Sequence, residues 1–169
     1  EEKFSLNCLD VEKLCLPYWL MNSQELEALF IESNEMNSHN QISQFKKAVI
    51  LSKEKHNPTM EHINYDTPVY FDIWEVYRYI KNKNSEIINK NETLPHLPKR
   101  SDGTIINDAD NVYLNEEVLF AAASQSKDSK ASNGPYNGEF ERFVTRLETK
   151  LSDKRLKFIT APKKENGES

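Results

Sequence analysis

Glycine is scarce in this chain, with four residues in 169 against an average usage of about 7%. The four precede Thr104, Pro135, Glu139 and Glu168. None precedes a lysine, so these residues hold no GxxxxGK[ST] loop. In such a loop, glycines let backbone N–H groups approach phosphate and a lysine follows. Cysteine is nearly as rare. Cys8 and Cys15 stand seven apart, which suits a reduced pair in a cytosolic protein better than a disulfide framework. No apolar run approaches the ~20 residues a membrane-crossing helix needs. The opening EEKFSLN is acidic and lacks the apolar stretch of a signal peptide, so a cytoplasmic protein with no membrane role is expected. The chain does not begin with Met, which suggests a fragment. Asn91-Glu92-Thr93 matches a glycosylation pattern, read as chance without a secretory signal. The net charge of −5 gives no overall field to attract nucleic acid or anionic lipid, so a local basic patch would have to do that work.

The length is about that of one domain, and hydrophobic residues at 37% with charged residues at 29% indicate a core under a well-solvated surface. Residues 4–9 (FSLNCL) alternate loosely, as a short strand does. The stretch LPYWLM (16–21) then sets a proline and two large rings in an apolar run. Asn22 with Glu25 predicts a capping box, in which each residue's side chain bonds the other's backbone N–H. Leu26, Leu29 and Phe30 follow at helical spacing. A second helix is expected over 40–56, with Ile42, Phe45, Val49 and Ser52 along one stripe and Ala48 beside it, ending at Asn57-Pro58. Val69 to Phe71 reads as a short extended piece. Asp72 with Glu75 predicts a second capping box, opening a helix lined by Ile73, Val76, Tyr77 and Ile80 that frays into KNKNSE.

Residues 84–112 are polar, hold Pro95, Pro98 and SDGT (101–104), and read as a loop or small hairpin. Residues 113–124 read as a helix and 125–138 as a flexible loop. Phe140, Phe143, Val144, Leu147 and Leu151 carry the clearest helical pattern. Asp153-Lys154 turns the chain into LKFIT (156–160), expected as a strand, and no internal repeat is present. The fold class that follows is mainly α with a few short β-strands over a single segment, 1–169. Strands at both ends with helices between suggest an excursion out of a larger sheet.

No constellation in the sequence forces a chemistry. Val69-Tyr70-Phe71-Asp72 fits the apolar strand that ends in a magnesium-side acid, yet without a phosphate loop Asp72 is better read as a helix cap. His39, His56, His62 and His96 form no metal pair at i, i+4, and no cysteine joins them. No GxSxG elbow is present. A Ser/His/Asp or Cys/His triad stays open, and a small metal-independent hydrolase has nothing specific behind it. Tyr18, Trp19, Trp74, Tyr77 and Tyr79 are read as packing rather than base-stacking residues, because Arg78 is their only basic neighbour. Arg142, Arg146 and Lys150, four apart, form a positive stripe opposite the apolar one, with Lys154 and Arg155 beyond. Glu139, Glu141 and Glu148 are interspersed and can neutralise it. The sharper reading is that Arg146 or Arg155 reaches a phosphate on a neighbouring element or subunit, since a guanidinium is permanently charged and forks onto phosphate oxygens.

LDVEKLCLPYWLMNSQELEALF and YNGEFERFVTRLETKLSDKRLKFI together resemble the HerA-type ATPases, P-loop motors of the FtsK/HerA superfamily. The likeness covers 5–31 and 136–160, about a third of the chain; 57–135 matches less distinctly. It implies that these residues lie between an upstream phosphate loop and a downstream magnesium-binding acidic strand. It further implies a parent that is a hexameric, ATP-driven DNA translocase or helicase, with ATP and Mg held by the parent and none in this chain. The implied partners are the remainder of the ATPase domain, sister subunits, and DNA through the parent. On this reading the segment is not catalytic alone and buries its apolar stripes against the ATPase body. The LPYWLM wedge packs the first helix beside that body, Arg146 and Arg155 contribute phosphate sensing or subunit contact, and Asp153 fixes the turn between them. The alternative is a free-standing helical interaction module with no enzymatic activity.

Overall fold

The computed structural model describes residues 17–90, 96–123 and 131–156. Cys8, Cys15, Asn91 to Thr93, the strand expected at 4–9 and most of that expected at 156–160 lie outside them. Five α-helices and one two-stranded sheet are present among the described residues: α1 (Ser23–Phe30), α2 (Ser38–His56), α3 (Ile73–Ser85), β1 (Ile87–Asn89), α4 (Ala109–Asn115), β2 (Ala131–Asn133) and α5 (Glu141–Ser152). The protein is thus mainly helical with a few short strands.

The wedge is an internal fastener. Pro17 sits at φ −65°, and Tyr18–Leu20 forms one 3-10 turn. Tyr18 is buried, its hydroxyl donating to the Phe71 carbonyl at 2.6 Å and accepting the Ile73 N–H at 3.2 Å. Its ring meets Phe71 edge-on at 5.0 Å, while Trp19 meets Tyr70 at 5.1 Å. Burial pushes the Tyr18 phenol well above its ordinary pKa, so it stays a donor. The expected Asn22–Glu25 box is formed. Asn22 Oδ1 accepts the Glu25 N–H at 3.0 Å, and Glu25 Oε2 accepts the Asn22 N–H at 2.9 Å, satisfying two donors that a helix start otherwise orphans.

On α2, Phe45, Ala48, Val49 and Ser52 are buried as their spacing requires. The helix ends at Asn57, whose amide donates to the carbonyls of Lys53 (2.8 Å) and Tyr70 (2.9 Å). Val69 to Phe71 pairs with no strand among the described residues. Asp72 caps α3 by accepting the Trp74 N–H at 2.8 Å, but the second capping box does not close, because Glu75 turns to α2. Nor does α3 fray at KNKNSE; it stays helical to Ser85. Asn82 donates to the Glu116 carbonyl (2.8 Å) and accepts the Val118 N–H (2.9 Å), and Asn84 accepts the Phe140 N–H (2.8 Å). Polar residues that read as a solvated end are cross-links.

The region read as a loop or small hairpin holds β1 and a hairpin. Arg100 N–H bonds the Thr104 carbonyl at 2.9 Å across a turn in which Gly103 sits at φ +89°, a conformation that favours glycine. β1 pairs antiparallel with β2, so 131–133 is strand where loop was expected. The helix expected over 113–124 lies earlier. Asp108 caps it by accepting the Asn111 N–H at 3.3 Å, and 119–121 is drawn instead into bridges with 99–101. On α5, Phe143, Leu147 and Leu151 are buried and Val144 half-buried. Asp153 follows the helix and the chain turns through Lys154–Leu156, so the strand expected from 156 does not begin at that residue.

The apolar stripes close on one another. Phe45 lies between Phe30 and Phe143, with ring centres 5.8 and 6.1 Å away, and Tyr79 meets Tyr113 at 5.9 Å. Phe45, Val49, Val76, Ile80, Phe143 and Leu147 are all fully buried. The expectation that these stripes need an external body to cover them does not hold for the described residues. No helix among the described residues is long and apolar enough to cross a membrane.

Candidate functional site

The basic stripe of α5 has the four-residue spacing read from sequence, but most of its charge is engaged. Arg146 Nη2 donates to Glu35 Oε1 in the α1–α2 connection, and its Nε lies 3.8 Å from Glu32. Gln41 donates to the other Glu35 oxygen at 2.5 Å. With the Arg146 side chain 14% exposed and that of Glu35 18%, this ion pair is largely removed from water. One turn further, Lys150 donates to the Leu29 carbonyl at the end of α1. Burial lowers the Lys150 ammonium's pKa, the like charge of Arg146 lowers it further, and Glu32 opposes both. Arg142 alone in the stripe is exposed and has no hydrogen-bond or ionic partner among the described residues. It borders a cleft of about 470 Å³ with Asn34, Asn37, Gln41 and Glu139. Gln41 Oε1, on its wall, is buried without a partner among the described residues, and so, outside that lining, is Arg146 Nη1.

Asp153 and Arg155 form a separate feature on the turn after α5. Asp153 Oδ1 accepts the Arg155 backbone N–H at 2.9 Å, and the guanidinium forks onto the carboxylate with Nε–Oδ1 at 3.1 Å and Nη2–Oδ2 at 2.8 Å. The Arg155 hydrogen bonds hold the Asp153 carboxyl below its ordinary pKa. The Arg155 side chain is 89% exposed, and an exposed ion pair is exchanged at little cost, so this guanidinium is available to an outside anion. Arg146 would first have to leave Glu35. The three predicted residues therefore divide into an internal clamp and a surface pair.

Two buried polar clusters were not read from sequence. Glu75, 5% exposed, accepts from Ser52 Oγ at 2.6 Å, from Lys55 Nζ, and contacts His56 Nε2 at 3.1 Å. A serine, a histidine and a carboxylate thus meet in the order wrong for nucleophilic catalysis. The carboxylate, not the imidazole, holds the hydroxyl, so the serine–histidine contact of a nucleophilic triad is not made. The available signal was Ser52, a polar residue in an apolar stripe. Lys53, fully buried, donates to the carbonyls of Tyr65 (2.6 Å) and Thr67 (2.7 Å) and faces the Phe71 ring at 5.6 Å. Burial lowers its pKa to about 8, opposed by Asp66. Among the described residues no group of three or more His, Cys, Asp or Glu side chains is arranged to hold a metal ion.

No protein-family model matches the chain, and no curated protein matches it.

Proposed function

We propose that this chain is the helical excursion of a HerA-type ATPase, whose parent is a hexameric, ATP-driven DNA translocase or helicase. In that reading the segment supplies packing and subunit or phosphate contacts, and the chemistry belongs to ATP and Mg bound elsewhere in a cytoplasmic parent. The observation that carries it is the clasp between the first and last helices: Lys150 bonds the end of α1, and Arg146 bonds the residues just after it. An excursion that leaves and rejoins one sheet needs its outgoing and returning helices side by side. Arg155, exposed and held only by Asp153 among the described residues, is the better phosphate-contact candidate of the two arginines.

The coding sequence on either side tests the reading. A GxxxxGK[ST] motif upstream and an apolar strand ending in Asp downstream are expected, and a stop codon shortly after Ser169 with a start just before Glu1 would overturn it. In the intact parent, Arg155→Ala is expected to slow ATP turnover while leaving the hexamer assembled; unchanged turnover removes the phosphate role.

The closed core favours a second reading, a free-standing helical interaction module. Both readings predict no detectable ATP binding by the chain alone in calorimetry, so tight binding would contradict both.

A further inference from the structure

The extended segment 117–121 carries a strand edge with one rung open among the described residues. Its inner edge is used: the Ser101 N–H bonds the Leu119 carbonyl at 2.8 Å and the Ala121 N–H bonds the Lys99 carbonyl at 3.0 Å. These two bonds flank the antiparallel bridge between Arg100 and Phe120. Backbone groups alternate sides along a strand, so the N–H and C=O of Val118 and Phe120 face the other way. The Val118 N–H is capped there by Asn82 Oδ1 at 2.9 Å. The next rung is Phe120, and among the described residues its N–H and C=O have no hydrogen-bond partner.

Phe120 also lines a cleft of about 710 Å³, together with Asn84, Ile87 and Asn137. Strand edges are normally protected by charged side chains, proline, a bulge or a cover. The charges of this run, Glu116 and Glu117, stand at its start, and Val118-Leu119-Phe120-Ala121 carries neither a charge nor a proline. Side chains alternate with the backbone: Val118 is buried, Phe120 meets the Tyr113 ring edge-on at 5.8 Å, and Leu119 points outward, 76% exposed. Among the described residues the charged groups that border the cleft are acidic, Glu117 and Glu141; Glu117 already pairs with Lys81 at 2.6 Å, which leaves Glu141 without an ionic partner among the described residues.

We propose that this cleft is a strand-addition site for an extended protein segment that alternates apolar and basic side chains. The segment's backbone bonds the Phe120 N–H and C=O, its apolar residues cover Leu119, and its basic residues approach Glu117 and Glu141. Main-chain pairing then supplies affinity, and the alternating side chains supply selectivity. The site is independent of the ATPase reading, since it uses none of the α5 arginines.

Fluorescence anisotropy on the full chain tests it, with a labelled, acetylated heptapeptide of alternating valine and lysine as the probe. Saturable one-to-one binding is expected. The same peptide N-methylated at alternate residues, which keeps its charge and side chains but loses the backbone donors, is expected to bind at least about tenfold more weakly. Leu119→Lys, an exposed substitution that leaves the bonds to Lys99 and Ser101 intact, is expected to weaken binding by a similar factor without changing the thermal midpoint. Absence of saturable binding would overturn the proposal. So would equal affinity for the N-methylated peptide, which would reduce the effect to charge attraction alone.

Discussion

Replacing Glu75 by glutamine keeps the shape of the side chain and removes its charge. The carboxylate is 5% exposed and bonds groups from a different helix: Ser52 at 2.6 Å, His56 at 3.1 Å, and Lys55. An amide offers one acceptor where two stood and turns a donor toward side chains that themselves donate. Removing one partner of a buried pair costs about 3–5 kcal/mol. Lys55 and His56 are 34% and 30% exposed and can recover water, so the lower figure of about 2–3 kcal/mol is expected. At about 2–4 °C per kcal/mol for a chain of this size, the thermal midpoint should fall by about 4–12 °C. Urea unfolding followed by tryptophan fluorescence reads the loss directly, because Trp74 neighbours the site. The acid limb gives a second reading. Burial raises the Glu75 pKa, but the hydrogen bonds from Lys55 and Ser52 and the neighbouring His56 and Lys55 charges outweigh it, leaving it below the ordinary 4.5. A depressed carboxyl contributes stability that is fully present above the unfolded value and is lost as pH falls through the folded one. The wild-type chain should therefore lose stability below about pH 4.5 more steeply than Glu75→Gln. A variant within about 0.5 kcal/mol of wild type, with the same acid limb, would show that the cluster contributes nothing.

Three further outcomes follow from other contacts. A Cβ on Gly134 would lie 2.7 Å from Glu86 Oε1 and 2.9 Å from its Cγ. Glu86 is pinned by Tyr113 at 2.7 Å and Lys83 at 3.1 Å, so Gly134→Ala should cost about 1–3 kcal/mol in denaturant titration. Asn22→Ala removes half of the α1 cap and should cost about 1 kcal/mol by the same measurement, against nearly none for Asn22→Ser. With its folded pKa lowered from 10.5 to about 8, Lys53 releases its proton before the unfolded chain does. Stability should therefore rise between about pH 8 and 10, and that rise should be absent in Lys53→Met.

Two capping-box patterns in one chain illustrate what sequence can and cannot carry. Asn22-Ser23-Gln24-Glu25 closes as local geometry dictates, whereas Glu75, equally spaced from Asp72, is recruited by Ser52, Lys55 and His56. Periodicity likewise located α5, since Phe143, Leu147 and Leu151 need only a helix to share a face. It misplaced α4, because 119–121 gains more from pairing with 99–101 than from its own helical preference, and such gains depend on distant residues. The candidate site divides in the same way. The spacing of Arg142, Arg146 and Lys150 was legible, but Glu35, which engages Arg146, stands 111 residues away in sequence. The asparagines of KNKN looked solvated because composition says nothing about which backbone groups they meet.

The described helices cover their own apolar faces and clasp α1 to α5. Amide hydrogen exchange on the isolated chain measures that most directly. The amides of Phe143, Leu147 and Leu151 in α5, with those of Leu26 and Phe30 in α1, should open only with global unfolding, at the free energy found for Phe45 and Val49 in α2. Exchange of α1 or α5 at near-unprotected rates while α2 stays protected would contradict it, and would mean that these helices acquire their cover from another body.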